Sequence, residues 1–403
     1  MKDTVLLFCT RTLRLFGYGF LSVGLALYLS EIGMSEKQIG LLLALTLAGD
    51  AVITLWISSV ADRTGRRRML MAGSFLMIAA GAAFLMTRNF ALLCLAAIIG
   101  VISPSGNEIG PFLSIEQAAL SHIVPFEERT KFFAWYNLVG SFATAIGALV
   151  GGWIAGRMIA TGSTPLAAYR TELIGYIAVG FVLFVLFLAV SPAVELVRPK
   201  QQSPSMGLHK SRGIILRLSS LFALDAFAGG LIVQSMLALW FHLRFGVDIA
   251  MLGKIFFGAN LLAGISALSA ARLAKRFGLI NTMVWTHVPS NILLILVPLM
   301  PTLPLAIAVL LIRFSISQMD VPTRQSYVMA VVDPDERSAA AGVTGIARSV
   351  GATPSPFISG LFMAAPALMS MPFYLAGVLK IIYDFALYRS FQKVKPPEEQ
   401  KSS

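Results

Sequence analysis

Ser58-Ser-Val-Ala-Asp62-Arg63-Thr64-Gly65-Arg66-Arg67 is a short polar break between two long apolar runs, 38–60 and 69–87. Gly65 permits a tight turn. Each flanking run is close to the length of about 20 apolar residues that carries a helix across a bilayer. The stretch therefore reads as the tight connection of a membrane hairpin. The same alternation continues in both directions, with spans near 5–28, 38–60, 69–87, 90–123, 131–157, 171–191, 213–242, 250–273, 280–300, 303–331, 338–365 and 369–391. The expectation is an all-α membrane protein with twelve transmembrane helices. Composition agrees: 13% of residues are charged and 57% hydrophobic, whereas soluble domains carry roughly 25% charge. Pro104 and Pro111 in the fourth span and Pro322 in the tenth predict bends there.

The net charge of +12 reads as a topology signal. With the N-terminus cytoplasmic, the outer loops hold only Lys37, Arg88, Arg157, Arg170, Arg244 and Lys254. Most other Lys and Arg residues fall on the inner side, as the positive-inside rule asks. Both termini are expected in the cytoplasm, with the chain in a bacterial inner membrane. Nucleic-acid binding is set aside, because the basic residues lie between apolar runs and form no water-exposed basic face. Cys9 and Cys94 stand apart inside apolar runs, which predicts buried, inert thiols and no metal site. The start Met1-Lys2-Asp3 enters the first span with no small-residue cleavage site.

Arg198-Pro-Lys-Gln-Gln-Ser-Pro-Ser-Met-Gly-Leu-His-Lys210 lies midway and reads as a linker. It predicts an N-terminal six-helix bundle over 1–194, a cytoplasmic linker over 195–212, a C-terminal bundle over 213–392 and a tail over 393–403. The halves repeat. Pro125-Phe-Glu-Glu-Arg129 matches Asp333-Pro-Asp-Glu-Arg337, and at the same offset Glu116-Gln117 aligns with Arg324-Gln325 and Gly152 with Gly360. A slightly longer offset aligns Arg63-Thr64-Gly65 with Arg276-Phe277-Gly278. Duplicated bundles of this kind build rocker-type transporters, with the substrate site near the midplane.

From Asp62 onward the opening stretch resembles the signature loop of the major facilitator superfamily, Gly-x-x-x-Asp-Arg-x-Gly-Arg-Arg/Lys, with Ser58 in place of the leading glycine. The resemblance implies that superfamily's fold, two pseudo-symmetric bundles whose spans one, four, seven and ten line a central cavity. It also implies a cytoplasmic gate at Asp62, Arg63, Gly65, Arg66 and Arg67, in which Asp62 accepts hydrogen bonds from a facing helix N-terminus and the arginines pair with acidic groups. Gly140-Ser-Phe-Ala-Thr-Ala-Ile-Gly147-Ala148-Leu-Val-Gly151-Gly152 in span five is similar to the glycine motif of the superfamily's proton-coupled exporters. Ala148 replaces its proline and Ala143 one of its glycines. Small residues there also serve plain helix packing at Gly147, Gly151 and Gly152. The exporters' arginine early in span four has no counterpart, since none stands between Arg88 and Arg129.

Ionisable residues inside spans cost about 2.5–3.5 kcal/mol each on insertion scales and face a cavity or a partner. Counted inward from the cytoplasmic ends, Arg11, Arg14, Glu116, Asp225, Asp320 and Arg324 fall in one layer, with Asn107 and Glu108 nearer the midplane. Three bases and three acids suit a neutralised buried network. Glu116 and Arg324, at equivalent positions of the repeat, are expected to pair across the cavity, either as a switch broken by protonation or substrate, or as a purely structural pair. Asp50 is a further buried carboxylate.

No phosphate-binding loop is present, so the expectation is no cofactor and an ion gradient, protons first, as the energy source. Two transport readings stand: proton-coupled efflux of a toxic or waste compound, and import or exchange of a small anionic metabolite bound by Arg11, Arg14 and Arg324. A membrane-embedded enzyme or sensor predicts neither the duplication nor the missing catalytic constellation. The expected partners are a small-molecule substrate and the lipid bilayer, with the protein a monomer.

Overall fold

The computed structural model describes residues 2–108, 110–123, 129–191, 194–195, 210–333 and 336–394. The expected linker, apart from its ends, and the expected tail beyond residue 394 lie outside them. The described residues form α1 (Lys2–Ser22), α2 (Leu25–Glu31), α3 (Glu36–Thr64), α4 (Arg66–Met86), α5 (Phe90–Ile99), α6 (Phe112–Ile123), α7 (Arg129–Ala160), α8 (Pro165–Leu188), α9 (Arg212–Gly230), α10 (Gln234–Phe245), α11 (Ile249–Phe277), α12 (Leu279–Leu296), α13 (Leu303–Ile316), α14 (Asp320–Ala330), α15 (Arg337–Ala352), α16 (Ser355–Met363) and α17 (Met371–Phe391), with no strand among them.

Among the described residues, ten stretches are long and apolar enough to cross a membrane, and the chain is a multi-pass membrane protein. The other two expected spans are present as broken helices. The fourth is α5 and α6, with residues 100–108 and 110–111 between them, Pro104 and Pro111 included, outside any helix. The eleventh is α15 and α16, separated at Thr353-Pro354, since a proline cannot continue the hydrogen-bond ladder behind it. Span one also breaks, at Val23-Gly24, and span seven at 231–233, so the halves share this interruption.

Local signals set the helix ends. Ser35 caps α3 in a reciprocal box with Gln38. Asn89 accepts from Ala91 and Leu92 at the start of α5, and Thr164 with Pro165 starts α8. Gly65, at φ +106°, makes the turn between α3 and α4, a conformation that needs glycine.

The polarity of a soluble protein is inverted. Trp56, Phe75, Leu92, Phe181 and Ile265 are exposed, while Arg14, Glu116, Asp225 and Arg324 are buried. Lipid accepts the apolar surface, so apolar side chains need not point inward. Cys9 shows this: contrary to the sequence expectation, it is exposed, and Cys94 is half-buried.

Two compact units form. The first comprises Met1–Gln201 and Val233–Phe257, the second Gln202–Ile232 and Gly258–Ser403. In the first, α1 packs on α7 and α8, α4 on α8, and α3 on α5. In the second, α9 packs on α15 and α17, and α12 on α13, α14 and α17. The sequence boundary at residue 213 differs from this division. Val233–Phe257 packs with the first unit, because the break after α9 frees α10 to take new partners. Gln234 Nε2 donates to Ser22 Oγ at 2.7 Å, and Ser235 Oγ contacts the Ser22 and Pro104 carbonyls at 2.6 and 2.8 Å.

Candidate functional site

Most of the charged residues singled out inside the spans are gathered into one network in each unit. In the first, Arg11 and Arg14 lie one turn apart on α1. Arg14 is fully buried and binds Glu116 of α6 through two parallel bonds, Nη1 to Oε1 at 2.8 Å and Nη2 to Oε2 at 2.7 Å. Its Nε reaches Glu108 Oε1 at 2.7 Å. Arg11 takes the other Glu108 oxygen at 2.7 Å, the Tyr136 carbonyl at 2.9 Å and Asn137 Oδ1 at 3.1 Å. Thr10 donates to Glu116 at 2.9 Å, and the Tyr136 hydroxyl donates to its second oxygen. The Arg11 guanidinium stacks 4.3 Å from the Tyr136 ring and that of Arg14 4.6 Å from Phe112. Two guanidiniums against two carboxylates leave the group neutral, as a dry site requires.

Glu108 joins Arg11 and Arg14 because residues 100–108 are not helical. Depth counted at 1.5 Å per residue along a continuous helix misplaces it. Asn107, next to it, is exposed, and its carbonyl accepts from Ser103 at 2.8 Å. Asp50 of α3 accepts from the Gly110 amide and from Thr54 at 3.2 Å, which pins the end of the same irregular stretch.

Asp225 of α9 is the hub of the second network. Lys380 of α17 bonds Oδ1 at 2.6 Å, while Arg348 of α15 and Arg324 of α14 reach Oδ2 at 3.0 and 3.2 Å. Arg324 also holds Asp320, one turn earlier, at 2.8 Å. One turn beyond Lys380, Asp384 binds His287 Nδ1 at 2.8 Å and Asn291 Nδ2 at 3.0 Å, both from α12. Counting Asp384, three acids (Asp225, Asp320 and Asp384) face Lys380, Arg348 and Arg324, with the His287 ring beside Asp384. Arg313 of α13 is buried with its Nε unbonded.

The expected Glu116–Arg324 pair is therefore replaced. Glu116 has its bonding capacity met by Arg14, Thr10 and Tyr136, and Arg324 by Asp225 and Asp320, each inside its own unit. Equivalence by repeat does not give their partners, which come from the same unit: Arg14 of α1 for Glu116, and Asp225 of α9 with Asp320 of α14 itself for Arg324. Lys380, Arg348, Asp384 and His287 were missed as site members; the signal available was a charge inside an otherwise apolar span.

The expected gate lies at the turn between α3 and α4. Arg66 and Arg67 turn to carbonyls at the end of the α8 segment: Arg66 Nη1 to Val194 at 3.3 Å, Arg67 Nε to Phe187 at 3.2 Å and Nη2 to Leu188 at 2.5 Å. Their backbone amides, at the start of α4, donate to Glu195 at 2.7 and 3.1 Å. The carboxylate is drawn there by the unsatisfied amides of the helix N-terminus. The side chains of Asp62 and Arg63 lie outside the described part of the structure. In the glycine motif, Gly147 and Gly151 of α7 lie against the backbone of Phe16 and Phe20 of α1, and a Cβ at Gly152 would stand 2.8 Å from Gly253 Cα.

A sequence model described as Major Facilitator Superfamily matches residues 7–356. An uncharacterized membrane protein of Saccharomyces cerevisiae is 29% identical over 96% of this chain and 93% of its own length. The quinolone resistance protein NorA of Staphylococcus aureus is 21% identical over 95% of this chain and 96% of its own. Among solved structures, a bacterial homolog of the human lysosomal transporter Spinster, inward-facing and unoccupied, superposes with a TM-score of 0.73 at 16% identity, covering 98% of both chains.

Proposed function

The chain belongs to the Major Facilitator Superfamily, and on that premise, a membrane transporter and not an enzyme, we propose that it exports a small toxic or waste solute by alternating access in exchange for protons. The observation that carries this reading is the Asp225 hub. A carboxylate that holds Lys380, Arg348 and Arg324 together takes up a proton only as those bases draw away, since nearby cations favour its charged form, and once neutral it no longer grips them. A gradient acting on one atom group would thereby rearrange α9, α14, α15 and α17. Glu116, bound by Arg14, Thr10 and Tyr136, is the corresponding acid of the first unit. The likeness to a quinolone resistance protein supports export. The anionic-metabolite reading draws less support, because Arg11, Arg14 and Arg324 are each neutralised by a carboxylate.

In this reading both termini face the cytoplasm, the protein is a monomer of the plasma membrane (the inner membrane, in a bacterium), and no bound cofactor takes part. The loop from Asp62 to Arg67, tied to Glu195, helps set the conformational balance on the cytoplasmic side. The test is expression in a drug-sensitive host lacking its own exporters, against a panel of toxic compounds that includes quinolones. Export predicts raised tolerance to at least one class, lost in Asp225→Asn. Unchanged tolerance throughout, with new growth on a small organic acid, would overturn it in favour of import.

A further inference from the structure

Glu172 plays no part in either network. It sits on α8, seven residues past Pro165, which is about 10 Å along the helix axis. Its residue exposure is 1%, and among the described residues neither carboxylate oxygen has a hydrogen-bond partner. The carboxyl group packs against Gly24, at the break between α1 and α2, so closely that a Cβ there would overlap Oε2.

Among the described residues, no base bonds to it. On its own helix, Tyr169 lies one turn away, Tyr176 gives its hydroxyl to the Val101 carbonyl, and exposed Arg170 turns to the Leu85 carbonyl at 3.0 Å. From α2, the Tyr28 hydroxyl is taken by Phe84 at 2.6 Å, and Glu31 adds a second acid. Asp248, before α11, is a further acid and shares the Tyr169 neighbourhood. The charges of α4 stand at its far end, Arg66 to Arg68, and Arg88, just past its near end and within reach of Tyr28, is exposed. Arg157 of α7 is exposed. Arg14 of α1 is held by Glu108 and Glu116. An ionised carboxylate without cation or donor is too costly to bury, and such a group takes up a proton instead.

We propose that Glu172 is a proton-binding site of the first unit, occupied in this conformation and emptied when α1 and α2 open away from α8 at Gly24. On release the carboxyl O–H bond breaks, the proton passes to water entering at the break, and the carboxylate is solvated there. Occupancy of the site stands independently of the transported solute; its place in the transport cycle rests on the proton-coupled reading above.

The test uses the full chain in lipid nanodiscs. Infrared spectra of wild type minus Glu172→Gln, from mildly acidic to mildly alkaline pH, are expected to show a protonated-carboxyl band that the variant lacks. Hydrogen exchange of residues 20–31, corrected for intrinsic rates, is expected to speed up with rising pH in wild type and to stay flat in the variant. Should the variant fail to fold, dicyclohexylcarbodiimide labelling of wild type, read by peptide mass spectrometry, supplies the answer: the reagent attacks protonated carboxyls in apolar surroundings, so Glu172 should be modified and protected at alkaline pH. Absence of both the band and the label overturns the site. A band without pH-dependent exchange overturns release through the break. A Glu172 band with no proton-driven export would remove the coupling reading and leave the site standing.

Discussion

Glu116→Gln tests whether the first network is a single bonded unit. Glu116 accepts two bonds from Arg14, one from Thr10 and one from Tyr136. The amide keeps the shape and one acceptor oxygen. In either orientation its NH2 group meets a donor, Arg14 Nη1 with Thr10 on one side or Arg14 Nη2 with Tyr136 on the other. Two charge-assisted bonds become one, and the quartet of Arg11, Arg14, Glu108 and Glu116 gains a net positive charge in a site whose arginine is 0% exposed. Removing one partner of a buried ion pair costs about 3–5 kcal/mol, most of it from stranding the other charge. Arg14 keeps its bond to Glu108, which places the expected loss at the lower end, about 3 kcal/mol. The assay is equilibrium unfolding in mixed micelles for wild type, Glu116→Leu, Arg14→Met and the double variant, beside Glu116→Gln. The double variant should be more stable than the two single losses combined, by a coupling of about 1–3 kcal/mol. Single losses under about 0.5 kcal/mol, the size of ordinary surface changes, or strictly additive effects would refute the reasoning.

Asp225→Asn leaves Lys380 and Arg348 without the carboxylate they bond and Arg324 with Asp320 alone; about 3–5 kcal/mol of stability and proton-driven transport should both be lost, read by unfolding and by vesicle uptake. Gly147→Val drives a side chain into the Phe16 carbonyl on α1 and should cost about 1–3 kcal/mol by overpacking. Gly342→Ala, with nothing within 4 Å, should stabilise α15 by up to about 1 kcal/mol; thermal unfolding separates the two. Glu195→Gln removes the charge facing the N-terminus of α4, about 0.3–1 kcal/mol, and should raise hydrogen exchange at the Arg66 and Arg67 amides with little global destabilisation.

The bundle was legible because span-length apolar runs are a strong signal, and the duplication survives in Glu128-Arg129 and Glu336-Arg337. The breaks in spans one and seven were not, since neither Val23-Gly24 nor residues 231–233 contain a proline. The long α7 across Gly140 to Gly152 shows that glycine alone does not interrupt a helix. Arg11, Arg14 and Glu116 were legible as buried charges because lipid makes each one costly. Their pairing was not. The partners of Asp225 come from residues 99, 123 and 155 positions further along the chain, and no local spacing encodes that choice. Glu172 falls at the edge of the expected span 171–191, whereas α8 begins at Pro165 and carries it well inside.

The central claim is that a proton gradient drives outward movement of a solute through neutralisation of Asp225. Its most direct measurement is quinolone uptake into everted membrane vesicles energised by an imposed pH gradient, acidic inside. The account predicts accumulation that collapses on adding a protonophore and is absent in Asp225→Asn vesicles. Accumulation that persists without the gradient, or that is equal in Asp225→Asn, would contradict it.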